Sequence, residues 1–251
     1  MKIFSIIQAR LGSTRLPEKI LLEIAPGKTI LECMLNRVRQ SQLIERIIVA
    51  TTINPADKKL IKFLEKIGQE YFIGSEEDVL DRYYQAAKAF RAEPGDIIVR
   101  LTSDCPLIDS AVIDKTIKFY IDGNFDYAAN GLEPYTYPDG MDTEVFSFAA
   151  LEKAWKEADK PSHREHVTFY FWKNPDKFKI GRLVNTEKDQ ANYRLTIDYP
   201  EDYELLKAVY GGLSGRNPDF SMGEIVEFLE HNPMIKKLNI KFARNASWQG
   251  A

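Results

Sequence analysis

Apolar residues recur along this chain with two alternating periods. Residues 3–9 and Arg46–Thr52 are short β-rich apolar runs, and between them Ile30, Leu31, Met34, Leu35 and Val38 fall at helical spacing. That is a strand–helix–strand unit. A second helix is predicted over residues 55–67, closing at Gly68, and a short run at 71–73 then leads through Gly74-Ser75-Glu76-Glu77 into a helix with Val79, Tyr83, Ala86, Ala87 and Phe90 facing inward. Residues 97–101 are rich in Ile and Val and read as a strand buried on both faces. Strand and helix alternating in this way imply an α/β fold, doubly wound around a mostly parallel sheet, whose ligands bind at the carboxyl ends of the strands.

From Asn130 the pattern changes to a loop rich in Tyr, Pro and Asp, followed by a predicted strand at 143–148 and helices near 149–158 and 163–172. Alternation returns with strands at 178–183 and 193–197 and helices at 200–210 and 222–230; the tail from His231 reads as irregular. There is no internal repeat and no low-complexity tract. We expect a single domain over residues 1–251, with 130–192 as an inserted region.

Composition narrows the class. A chain of 251 residues with 44% hydrophobic content furnishes a full core, and a net charge of −3 provides no global basic field to hold nucleic acid. The two cysteines, Cys33 and Cys105, form neither a disulfide framework nor a C-x-x-C metal motif, as suits a reducing compartment. No signal peptide or membrane-length apolar run is present, so a soluble cytoplasmic protein is expected, with no membrane partner.

Candidate chemistry concentrates just after the first strand, in Gln8-Ala9-Arg10-Leu11-Gly12-Ser13-Thr14-Arg15-Leu16-Pro17-Glu18-Lys19. Gly12 and Ser13 let main-chain N–H groups approach an anion, while Arg10, Arg15 and Lys19 supply charge around it. The loop is neither a Walker A sequence nor G-x-G-x-x-G. Taken singly, each cation also fits a solvated surface; together they read as a polyphosphate cradle. The strand at 97–101 runs into Thr102-Ser103-Asp104-Cys105-Pro106, which puts Asp104 at a strand end where a hard cation is expected. Asp109 already fills the N-cap position of the next helix, which weakens a capping role for Asp104. Asp198, in Thr196-Ile197-Asp198-Tyr199-Pro200, ends the predicted strand 193–197 and converges with Asp104 if both strands share one sheet. Asp202 instead reads as a favourable charge at a helix N-terminus. Arg82, early in its helix, either serves a ligand or pairs with Asp78 or Asp81. In the irregular middle, Asn130, Asp142, Glu144, Glu165 and His166 offer groups for sugar hydroxyls or amines, with Asp142 and Glu144 on one face of a strand. His163 and His166, three apart without further His or Cys, are too sparse for zinc.

The run from Ala9 to Lys19 resembles the A-R-x-x-S-x-R-x-P-x-K opening of the cytidylyltransferases that make CMP-activated acidic sugars, the CMP-Kdo and CMP-sialic acid synthetases, and within them the branch serving spore coat polysaccharide synthesis. Asp104 in S-D-C-P-L-I resembles the G-D-x-P-L-I carboxylate of the CMP-Kdo synthetases, and Asp198 their later magnesium-binding aspartate; the sialic acid synthetases differ at the first of these. The resemblance implies a Rossmann-like (GT-A-type) nucleotidyltransferase domain, CTP as substrate, Mg²⁺ as cofactor and a homodimer formed through the middle region. It also implies base recognition by main-chain groups at Gln8 and Ala9 with Thr102 and Ser103 nearby, Arg82 near the nucleotide, and Glu165-His166 with Asp142 and Glu144 near the acceptor. On this reading Arg10, Arg15 and Lys19 hold the β- and γ-phosphates while Asp104 and Asp198 hold the metal, and His166 or Asp142 are the candidate bases. Two rivals remain open from sequence: a glycosyltransferase using a ready-made nucleotide sugar, and a non-catalytic nucleotide-binding protein of the same pathway.

Overall fold

The first strand shows how the sequence pattern becomes layers. In β1 (Ile3–Gln8) Phe4 and Ile6 point to one side and Ile3 and Ile7 to the other, the period of two dictated by the pleat. The computed structural model describes residues 1–244. A two-stranded ribbon, β2 (Glu23–Ala25) with β3 (Lys28–Thr29), leads into α1 (Ile30–Val38), which opens with a capping box between Thr29 and Glu32. Next come β4 (Arg46–Thr52), α2 (Lys58–Lys66), β5 (Tyr71–Gly74), α3 (Val79–Ala89), β6 (Ile97–Thr102) and α4 (Ser110–Gly123). The strands β7 (Tyr127–Ala129) and β8 (Glu144–Ser147) precede three helices, α5 (Phe148–Glu157), α6 (Pro161–Glu165) and α7 (Phe169–Trp172). The chain then runs through β9 (Ile180–Arg182), α8 (Pro200–Leu213), α9 (Met222–His231) and α10 (Pro233–Lys236).

Seven strands form one sheet in the order β5-β4-β1-β6-β8-β7-β9, parallel throughout except for β8, which runs antiparallel to both its neighbours. One face packs on α1, α2 and α4 through Leu31, Leu35, Leu64 and Ile117; the other packs on α3, α5 and α7 through Tyr83, Ala87, Leu151 and Phe171. Each buried Leu, Ile or Phe here contributes about 2 kcal/mol by leaving water. A third cluster, built from α8 and α9 with Ile24, Tyr137 and Leu195, lies beside the sheet. Among the described residues no helix is long and apolar enough to cross a membrane.

Three expectations need correction. Residues 193–197 are not a sheet strand; they are extended, with a single bridge from Asp139 to Arg194. Their alternation is real, but Tyr193, Leu195 and Ile197 bury against α8 and α9 instead of against strand neighbours. The helix expected at 163–172 is split into α6 and α7 by Val167, at φ 49°. The break seats Val167 in the core and lets the Thr168 hydroxyl reach Glu144 at 2.5 Å. The tail is not irregular from His231: α10 follows and the chain packs on through Arg244, while residues 245–251 lie outside the described residues. The stretch 130–192 supplies β8, inserted between β6 and β7, so it is woven into the main sheet.

Candidate active site

Because β1, β4 and β6 are parallel and in register, with Gln8 opposite both Ala50 and Thr102, their carboxyl ends open together. Above them lies a cleft of about 1000 Å³. Its first wall is the loop after β1. Asp57, buried, anchors that loop by accepting from the Leu11 N–H (2.7 Å) and the Thr52 hydroxyl (2.5 Å). Ala9 and Ser103 extend the strand pairing through Ala9 N–H to the Ala50 carbonyl and Ser103 N–H to the Gln8 carbonyl, both 3.1 Å. A Cβ at Gly12 would meet only Glu76 Oε1 at 4.0 Å, so this glycine leaves the mouth of the cleft clear instead of serving an unusual backbone angle. Glu18, in the left-handed region at φ 53°, turns the chain into the short Lys19–Leu21 helix and aims Lys19 inward.

Lys19 Nζ donates to the Ile197 carbonyl (2.6 Å) and to Asp198 Oδ1 (2.9 Å), and stands 3.9 Å from Asp104 Oδ2. Arg15 reaches Asp198 at 2.8 Å. The two aspartates converge, though only Asp104 follows a sheet strand. Asp198 is delivered by the extended segment, whose Ile197 N–H (2.9 Å) and Thr196 hydroxyl (2.8 Å) donate to the Asp104 carbonyl. Gly140, at φ 99°, makes that approach possible: a Cβ there would lie 2.6 Å from the Leu195 carbonyl carbon. Burial opposes ionisation of Asp198, but Lys19 and Arg15 outweigh it and hold the carboxyl below the usual range.

Behind this pair stands Arg194, which salt-bridges Asp139 (2.9 Å), Asp198 (3.0 Å) and Asp202 (3.0 Å). Asp202, fully buried, also accepts from the Asp198 N–H (2.8 Å) and the Tyr199 N–H (3.0 Å), so it caps α8 and is not turned to the cleft. Arg10 lies exposed, 3.6 Å from Glu76. Arg82 is buried in the cleft wall with one nitrogen donating to the Ser75 carbonyl (2.7 Å) and its Nε without a partner. It pairs with neither Asp78, which holds Arg164, nor Asp81, which accepts from Trp155 (2.8 Å).

The far half of the cleft is lined by Asp142, Glu144, Glu165 and His166. Glu144 accepts from Tyr127 (2.6 Å) and Thr168 and pairs with Arg100, which in turn donates to Gln8 Oε1 (3.0 Å). Asp142 pairs with Arg244, and burial pushes its carboxyl up. Burial also lowers the His166 imidazole, keeping it neutral at pH 7. Asn130 does not line this space; its amide is bonded to the Met141 carbonyl and the Thr143 N–H, both 2.7 Å, and it braces the turn into β8. His163 is buried edge-on against Tyr170, and among the described residues no group of three or more His, Cys, Asp or Glu is arranged for a metal.

Sequence reading missed Asp57, Arg100, Arg194 and the tail residues Asn239, Phe242 and Arg244. Two of these carried a signal: Arg100 is the lone charge in an otherwise apolar strand, and Arg194 stands four residues before Asp198.

Comparison with known proteins agrees with this geometry. Residues 4–231 match the cytidylyltransferase family. The chain is 36% identical over 241 residues to the spore coat polysaccharide biosynthesis protein SpsF of Bacillus subtilis, covering 92% of this chain and 95% of SpsF. It is 29% identical over 195 residues to the 3-deoxy-manno-octulosonate cytidylyltransferase of Chlorobium chlorochromatii, covering 74% of this chain and 69% of that enzyme. A solved cytidylyltransferase from Leptospira borgpetersenii superposes with a TM-score of 0.87 at 39% identity, covering 94% of this chain and 97% of the other. With cations of the first loop meeting paired aspartates at the open end of the parallel sheet, the chain belongs to the cytidylyltransferase family of nucleotidyltransferases.

Proposed function

We propose that the protein is a Mg²⁺-dependent cytidylyltransferase that transfers CMP from CTP to a hydroxyl of a sugar, an acidic one by resemblance, for surface polysaccharide synthesis in the cytoplasm. The observation that carries this reading is the meeting of Lys19 and Arg15 with Asp198, and of Lys19 with Asp104, inside one cleft.

The donor set fits a hard cation. Among the described residues Asp104 has only long side-chain contacts, 3.9 Å to Lys19 and 3.6 Å from the Cys105 thiol, which leaves its oxygens open to the cleft. Two carboxylates, completed by phosphate oxygens and water, are the usual protein share of a Mg²⁺ site, and Asp104 and Asp198 would hold it. Bound there, the ion would neutralise charge on the α-phosphate oxygens.

The chain's own residues do the rest. Lys19 and Arg15 exchange Asp198 for β- and γ-phosphate oxygens, and Arg10 adds charge at the open end. The acceptor oxygen forms a bond to the α-phosphorus while the bond to the β-phosphate bridging oxygen breaks, and the electron pair leaves on pyrophosphate. Lys19 and Arg15 stabilise that departing charge more than the ground state, which is where rate is gained. His166, neutral and lining the acceptor half, accepts the hydroxyl proton. Asp142, Glu144 and Glu165 hold the remaining hydroxyls. The middle region is the homodimer contact in this reading. A thermal-shift panel of CTP, UTP, ATP and GTP with Mg²⁺ tests the assignment: CTP should raise the melting temperature most, and preference for a purine would remove it.

A further inference from the structure

The chain beyond His231 lies past the family match, yet it returns to the cleft. After α10 the backbone runs back along the segment that carries Asp198. Asn239, itself buried, donates from Nδ2 to the Arg194 carbonyl (3.0 Å) and to Asp202 Oδ1 (2.8 Å). Phe242 stacks flat on Tyr199, with ring centroids 3.8 Å apart and planes within 4°. Tyr199 in turn carries the Arg15 guanidinium 4.9 Å from its ring centroid. Arg244 ends the run by pairing with Asp142 and donating to the Tyr137 carbonyl (3.0 Å). Lys241, Phe242 and Ala243 line the same cleft as the phosphate loop.

These contacts form a stack from the tail to the phosphate loop: Phe242, Tyr199, Arg15, Asp198. Arg15 is the member that needs support. Its side chain is 44% exposed and sits on a loop, so it holds one position only if something rigid backs it. A cation over an aromatic face is attracted by the ring quadrupole, and the attraction grows as water is removed. Phe242 covers part of the Tyr199 ring, which excludes water there and limits the rotamers of that ring.

We propose that residues 239–244 are a strap belonging to the active site, and that Phe242 is a positioning residue which acts through Tyr199 to set Arg15 for the triphosphate. The proposal rests on the nucleotide-binding reading above. Arg15 fixed before binding loses less freedom when phosphate arrives, so the strap acts on affinity.

The test is calorimetric titration of the full chain with Mg²⁺–tripolyphosphate and with Mg²⁺–CTP, using the wild type, Phe242→Leu, Phe242→Trp, Arg15→Ala and the Arg15→Ala/Phe242→Leu double variant. Leucine keeps apolar bulk without a stacking face and should weaken both ligands up to roughly tenfold, the order carried by a lost aromatic stack. Tryptophan should bind within about twofold of wild type, because it restores the face. The double variant should be no weaker than Arg15→Ala alone, since Phe242 works through Arg15; a merely structural role makes the two losses add. Wild-type affinity in Phe242→Leu, failure of Phe242→Trp to restore it, or additive losses would each overturn the proposal. A wild-type protein that prefers a purine triphosphate sinks the cytidylyl reading, while the tripolyphosphate series still judges the strap.

Discussion

Lys19 bridges two parts of the chain that are remote in sequence, with one hydrogen bond to the Ile197 carbonyl and another to Asp198. Replacing it with alanine leaves Asp198 still held by Arg15 and Arg194, so the carboxylate is not stranded and the fold survives. We therefore expect Lys19→Ala, and likewise Asp104→Asn, to lower pyrophosphate release from CTP with candidate sugars by at least about a hundredfold, the scale of losing one preorganised charge. Each variant should keep the parent's cooperative melting transition, and near-normal turnover in either would refute the assigned role. Arg15 and Lys19 stood out in the sequence because they lie in one short run after the first strand, and Asp104 because it follows the apolar run of β6. Asp57 did not, because the Leu11 N–H it holds is remote in sequence; Arg194 showed only its spacing to Asp198, and its pairing with Asp139 is brought about by folding alone. Arg82 shows the middle case: its two sequence partners, Asp78 and Asp81, are taken by Arg164 and Trp155, and nothing local could reveal that.

Among the elements, β1 and β6 are read most easily from sequence and are also held by a contact the pattern does not show. Asp96, buried just before β6, accepts from the Lys2 N–H (2.7 Å) and the Glu93 N–H (2.9 Å), which ties the entry of β1 to that of β6. Burial opposes its charge, yet the backbone donors prevail and hold the carboxyl below its ordinary value. A carboxyl depressed in the folded state adds stability above the unfolded pKa of about 3.9 and loses it as pH falls through the folded value. Asp96→Asn should therefore cost about 1–2 kcal/mol by urea unfolding at pH 7. The gap to wild type should narrow as the pH is taken below the ordinary carboxylate range; a gap that stays constant would exclude this linkage. Elements with buried partners on both faces, such as β6, announce themselves by composition. The segment 193–197 misleads because half-burial against helices leaves the same alternation as half-burial in a sheet.

At the scale of the whole molecule, the cleft joins residues from the first loop, three strand ends, the extended segment and the tail, and a ligand bound there should strengthen that joining. CTP with Mg²⁺ at a hundred times its dissociation constant should add about 2.7 kcal/mol to apparent stability. Removing the metal with EDTA should abolish most of that gain, because Asp104 and Asp198 then face the triphosphate without a cation between them; an unchanged CTP shift in EDTA would exclude the metal assignment. The net charge of −3 tells nothing of this arrangement, since cations and carboxylates are sorted within the cleft by the fold. By itself the sequence determined the alternating α/β architecture, the cationic loop after the first strand and the strand-end Asp104, all of which depend on neighbours along the chain. Only the tertiary structure decided how Asp198 reaches Asp104, that Asp139 joins Arg194, and that the tail returns over Tyr199. Those contacts pair groups far apart in sequence, and no period or spacing along the chain records the distance that folding closes.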